Sequence, residues 1–247
     1  MADIFGTHRI AANTRDYQLP VGDYKIIFDR SGQSLSYRRF KGEDLKSECV
    51  IMSEKDPTVV GIFPNPPLFT PQQLSKNVYV KFRVPVVVDQ NSEVVIYAKI
   101  PIELGVYRQA DDEEMLIDSF SLTQQRYALY GPPESGVVCR YIETDISTDA
   151  EGVKPSKYQE AHARIKITNG IDNVIRVSKV IIPIERVIID HAHDDAWLTG
   201  SVEMTIDSSF GRDIVIVHLA GTKVKPPDKT SLLKKEETKV FMMDSGY

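Results

Sequence analysis

Apolar residues recur at every second position along most of this chain, and that period limits what the chain can fold into. From Asn77 to Asp89, Val78, Val80, Phe82, Val84 and Val86 alternate with Tyr79, Lys81, Arg83 and Pro85. After a short polar loop, Val94, Ile96, Ala98, Ile100, Ile102 and Leu104 alternate with Val95, Tyr97, Lys99, Pro101 and Glu103. A period of two places successive side chains on opposite faces of a strand, one buried and one wet. The two runs read as a hairpin. Partners share a face, so their numbers must sum to an even value, and a three-residue loop at Asp89-Gln90-Asn91 pairs Val86 with Val94 and Phe82 with Ala98. The same register sets Arg83 opposite Tyr97 and Lys81 opposite Lys99. Facing lysines repel, so Lys81, Arg83 and Lys99 are either neutralised by acidic side chains or form a small anion-binding patch.

Similar alternation marks strands at Tyr24–Asp29, Leu35–Phe40, Thr58–Phe63, Val137–Glu143, Ala161–Thr168, Val174–Ile184, Ser201–Asp207 and Ile214–Leu219. Turn formers separate them, among them Ser31-Gly32, Asp56-Pro57, Gly131-Pro132-Pro133, Asn169-Gly170 and Phe210-Gly211. Many short strands without intervening helices predict an all-β fold of antiparallel β-sandwich architecture, in two sandwich-like modules with little helix. Ser121-Leu122-Thr123-Gln124 has capping-box spacing and allows one helix, although the same residues also suit a strand ending at Tyr127–Tyr130. Thr70-Pro71 suits a single helical turn. The polar stretch 147–157 is the best internal boundary, dividing an N-terminal β domain (1–146) from a C-terminal β module (158–221). Residues 222–247 form an extension whose apolar Val240-Phe241-Met242-Met243 should dock on this chain, on a second copy or on another protein.

Thirty Lys and Arg stand against 35 Asp and Glu, a net charge of -5, which disfavours binding to a nucleic-acid backbone. No apolar run reaches the roughly 18 residues of a spanning helix, and the N-terminus lacks a secretory h-region. Only Cys49 and Cys139 are present, without metal-type or disulfide-type spacing. These features predict a cytoplasmic protein with reduced thiols, no nucleic-acid partner and no membrane span.

Chemistry is sparse. His191-Ala192-His193-Asp194-Asp195 is the most suggestive run, because imidazoles at i and i+2 on a strand share a face and could hold one divalent transition metal with Asp195 or Asp190. The run resembles the H-x-H-x-D-H motif of the metallo-β-lactamase family, but Ala196 stands where that motif ends in histidine. Asp111-Asp112-Glu113-Glu114 lacks calcium-loop spacing. Ser135 sits in a Pro- and Gly-rich turn rather than a nucleophile elbow, and neither common phosphate-binding Gly motif occurs. Eleven tyrosines either fill cores or offer a stacking platform.

Arg126-Tyr127-Ala128-Leu129-Tyr130-Gly131-Pro132-Pro133, with Gly136-Val137-Val138-Cys139-Arg140-Tyr141 and Pro101–Tyr107, resembles stretches of an uncharacterised family of archaeal proteins known chiefly from methanogens. The resemblance implies an archaeal, cytoplasmic origin and supplies no catalytic role. Two functions follow from the residues. The preferred one is a non-catalytic binding or protein-interaction protein that needs no cofactor. The alternative is a metal-dependent enzyme or metal-binding protein using His191, His193 and Asp195.

Overall fold

The computed structural model describes residues 3–70, 74–110, 113–185, 187–209, 212–221 and 240–242. In chain order the strands are β1 (Gly6–Ile10), β2 (Tyr17–Val21), β3 (Tyr24–Ser31), β4 (Ser34–Lys41), β5 (Asp44–Met52), β6 (Thr58–Asn65), β7 (Asn77–Val88), β8 (Ser92–Pro101), β9 (Glu103–Ala110) and β10 (Glu113–Phe120). They continue as β11 (Tyr127–Tyr130), β12 (Val137–Thr144), β13 (Glu160–Asn169), β14 (Ile175–Pro183), β15 (Ile189–Ala192), β16 (Asp195–Leu198), β17 (Ser201–Ser209), β18 (Arg212–Ala220) and β19 (Val240–Met242). A 3-10 turn at Ala150–Gly152 is the helical element among the described residues. The fold is all-β, and no described helix is long and apolar enough to cross a membrane. The Thr70-Pro71 turn, Asp111-Asp112 and Phe210-Gly211 fall wholly or partly outside the described residues. Residues 121–126 form no helix, and Tyr127–Tyr130 takes the strand alternative.

Four sheets form. Sheet A is ordered β1-β6-β9-β10 and sheet B is the meander β2-β3-β4-β5. Asp118 on β10 accepts hydrogen bonds from Tyr37 Oη (2.6 Å) and Arg39 Nε (2.7 Å) on β4, and Tyr24 lies 5.3 Å from Phe120, so A and B face each other. Sheet C is ordered β11-β12-β7-β14. Sheet D runs β15-β16-β13-β17-β18-β19, with β8 on the other side of β13. Only Ile102 separates β8 in sheet D from β9 in sheet A, so one nearly continuous run of chain serves both pairs of sheets. Hydrogen bonding also crosses the 147–157 stretch: β8 pairs with β13, and β7 pairs with β14.

The strands at 77–88 and 92–101 lie where the alternation places them, but the hairpin is corrected. β7 pairs with β12 and β14, while β8 pairs with β13. Asp89–Asn91 therefore arches from one sheet to the opposite one. Val78, Val80 and Phe82 bury into the same core as Ile96, Ala98 and Ile100. Alternation demands a buried face, and a partner across the sandwich satisfies that demand as well as one alongside. Asn169 fixes the arch: its Nδ2 donates to the carbonyls of Val88 (3.2 Å), Asp89 (2.8 Å) and Asn173 (2.8 Å).

At the C-terminus, β19 adds to the edge of β18, pairing Ile214 with Met242 and Ile216 with Val240. Met243 lies outside the described residues. Truncation after Gly221 removes this strand and uncovers the β18 edge, so it should lower the melting temperature or change the oligomeric state seen by light scattering. No change in either would make the strand dispensable.

A second prediction concerns the ion pair between Glu103 on β9 and Arg140 on β12. Glu103 is 0% and Arg140 1% exposed, with 3.1 Å between Oε1 and Nη2. Glu103→Ala strands a buried guanidinium and should cost about 3–5 kcal/mol in denaturant unfolding. The double replacement Glu103→Leu/Arg140→Met should cost clearly less, and equal losses would contradict the pair's role.

Candidate functional site

A groove of about 710 Å³ lies over the outer face of sheet D, between the sheet and the 150–155 segment. Its floor follows from register. His162 on β13 is flanked by Lys99 on β8 and Trp197 on β16. One pleat further along, Arg164 faces Tyr97. Tyr97, His162, Arg164, Trp197 and Asp195 line the groove, with Ala150, Glu151, Val153, Lys154 and Pro155 as its wall. Each floor residue alternates with a buried one (Ala161, Ala163, Ile165, Ala196, Leu198), so core burial forces the functional set outward.

An irregular strand deepens the floor. Both β16 and β17 run parallel to β13, yet the pairs His162–Trp197 and Ile165–Val202 advance β13 by 165 − 162 = 3 residues and the facing chain by 202 − 197 = 5. The extra length sits at Thr199-Gly200, with Gly200 at φ +88°, a region that glycine enters without a side-chain penalty. On the other side the chain leaves Ser147, which pairs with Tyr97, and passes through the 3-10 turn. Ser156 N donates to Glu160 Oε2 at 2.8 Å and closes that segment onto β13.

His162 Nδ1 is enclosed and has no hydrogen-bond partner. Burial holds this imidazole below the ordinary histidine value, and the Asp195 carboxylate works against that shift. A depressed histidine is neutral in the folded protein at pH 7. Its sign is therefore set: stability is unaffected above the ordinary histidine pKa and is lost as pH falls below it toward the folded value.

The residues singled out in the sequence are dispersed. His191 opposes Ala196 and packs against Phe5 (5.5 Å) and Phe63 (5.6 Å). His193 lies not on a strand but in the two-residue turn between β15 and β16, at φ +52°, 85% exposed, with Nδ1 2.8 Å from Asp3 Oδ2. That contact raises its pKa. Asp195 opposes Ala192, one position out of phase with His191, and therefore points to the other face, into the groove. Among the described residues no three His, Cys, Asp or Glu side chains cluster as metal ligands would.

Lys81, Arg83 and Lys99 are separated as well, the first two on sheet C and the third on sheet D. Each has a carboxylate partner: Lys81–Glu143 (3.5 Å), Arg83–Asp145 (3.0 Å) and Lys99–Glu160 (3.4 Å). Three tyrosines gather on the outer face of sheet C, Tyr79 lying 6.1 Å from Tyr130 and 5.6 Å from Tyr141. The signal that could have found the groove was the outward set His162 and Arg164 on β13 beside the chain's only tryptophan. Their adjacency depends on a parallel pairing that alternation does not encode.

Fold and groove together describe a β-sandwich protein with an open, aromatic-floored site. The chain belongs to the family described as "Protein of unknown function (DUF432)", which matches residues 4–244. Searches of the curated proteins and of the solved structures return no match.

Removing the negative charge in Asp195→Asn should lower the His162 pKa further, read from the imidazole C–H shifts in an NMR titration. A rise, or no change, would separate the two residues electrostatically.

Proposed function

We propose that this protein is a non-catalytic binding module whose ligand occupies the groove over His162 and Trp197. The observation that carries the reading is the groove of about 710 Å³ itself, which Tyr97, His162 and Trp197 floor on one face of sheet D. The volume suits a small organic molecule, since such sites span about 300–1,000 Å³. Aromatic side chains with a few convergent polar groups are the usual lining of such sites. Cys49 and Cys139 form no disulfide, which supports a cytoplasmic setting, and the archaeal source belongs to the same reading. β19 at the edge of sheet D supports a role for the C-terminal segment in self-association or in binding a second protein.

A ligand-observed NMR screen of a broad fragment library against the full chain tests the site. Hits should shift the His162 imidazole and Trp197 indole signals and weaken at least tenfold in Trp197→Ala. Hits that leave both signals unmoved, or no hits at all, would overturn the assignment.

A further inference from the structure

The charges around the groove are unevenly satisfied, and that unevenness specifies a ligand. Lys99, beside His162, is paired with Glu160. Arg164 and Lys154 line the groove without a carboxylate partner among the described residues, and so do the carboxylates of Asp195 and Glu151 without a basic one. On β16, Asp195 lies one pleat to one side of Trp197. On β13, Arg164 lies one pleat beyond His162 on the other side, because β13 and β16 run parallel with His162 opposite Trp197. The indole is thus the midpoint between an acceptor and a cation. Same-face neighbours stand roughly 7 Å apart along one strand and roughly 7–8 Å apart on the diagonal between strands, so the acceptor, the ring and the cation each address a different part of one small molecule.

Resting on the groove assignment above, we infer that the ligand is of the nucleoside-monophosphate class. It has a planar ring on Trp197, an exocyclic N–H of that ring donating to Asp195, and a phosphate at Arg164. Arg suits an oxyanion because its planar fork donates two parallel hydrogen bonds. A carboxylate suits an amino-bearing base because it only accepts. The neutral His162 supplies a ring nitrogen to the linking sugar without adding charge. The chain's net charge of -5 disfavours a polymer carrying many phosphates, so the free mononucleotide is the expected form.

Trp197 is the only tryptophan, so its emission reports occupancy of this groove directly. Titrating the full chain with AMP should quench that emission. Adenosine should bind at least tenfold more weakly for want of the phosphate, and IMP likewise for want of the exocyclic amine. Arg164→Ala should reduce AMP to the affinity of adenosine while leaving adenosine unchanged, and Asp195→Asn should abolish the preference for AMP over IMP. Equal binding of AMP and adenosine would overturn the phosphate assignment, and equal binding of AMP and IMP the amine assignment. Tighter binding of a short single-stranded oligoadenylate, per nucleotide, would overturn the free-mononucleotide form. If fragments from the library shift His162 and Trp197 but no nucleotide quenches, the ligand class fails and the groove survives. If neither set acts, both fail.

Discussion

Burying a carboxylate against a guanidinium is tolerable only when close partners offset the desolvation, and the Glu103–Arg140 pair organises the molecule around that demand, with Arg140 Nη1 left without a partner. Glu103 accepts from the backbone N–H groups of Phe69 (2.9 Å) and Thr70 (3.0 Å), from Ser119 Oγ (3.1 Å) and from Arg140 Nη2 (3.1 Å). Arg140 also donates from Nε to Pro67 O (3.1 Å) and stacks over Tyr127, its Cζ 4.8 Å from the ring centroid. Desolvation pushes the carboxyl pKa up, against those donors, and pulls the guanidinium down. Glu103 belongs to sheet A, Arg140 to sheet C and residues 67–70 to the connection between β6 and β7. One buried pair therefore fixes how the first two sheets meet the second two, just where β8 passes into β9.

That junction sets the conditions for the groove. Because β8 continues into β9, its position in sheet D is held from both ends, and β13 aligns on it over the whole of Glu160–Asn169. β13 in turn receives β16 and β17 end to end on its other side, and the mismatch between them is absorbed at Thr199-Gly200. A regular strand there would present another outward side chain level with Arg164. The interruption, with the 150–155 segment as a wall, makes a cavity on a face that would otherwise be flat.

Much of the fold was legible because alternation is a local property. The strands at 24–31, 34–41, 58–65, 137–144 and 160–169 sit within a few residues of their apolar patterns. β5 was not legible, since its pattern is mostly exposed, with Val50 and Met52 outside and Ile51 alone well buried. β15 and β16 were read as one strand through 191–195, because four residues hold too few alternations to reveal a turn between two short strands. The acceptor Asp195 was legible as a chemical residue but was assigned with His191, because counting along a strand presumes that the strand continues. The turn at His193 breaks that count.

The arch between β7 and β8 shows why local pattern stops short of topology. An alternating apolar pattern over two strands joined by three residues is compatible with a hairpin, in which N–H and C=O groups of the two strands pair, and with an arch, in which both strands seek partners elsewhere. The choice rests on whether other strands supply a better complement on both edges. Here β12 and β14 pair with β7, Val80 lying opposite Ile142 and Val180, while β8 finds ten consecutive partners on β13, from Ser92–Asn169 to Pro101–Glu160. The arch also needs its turn held without a ladder, which Asn169 does through three carbonyls. Lys81 is consequently set against Lys179 and Glu143 rather than Lys99, and Lys99 is released to the opposite sheet, where it flanks His162. The same topological choice that separates the three basic residues places His162, Arg164 and Trp197 on one surface.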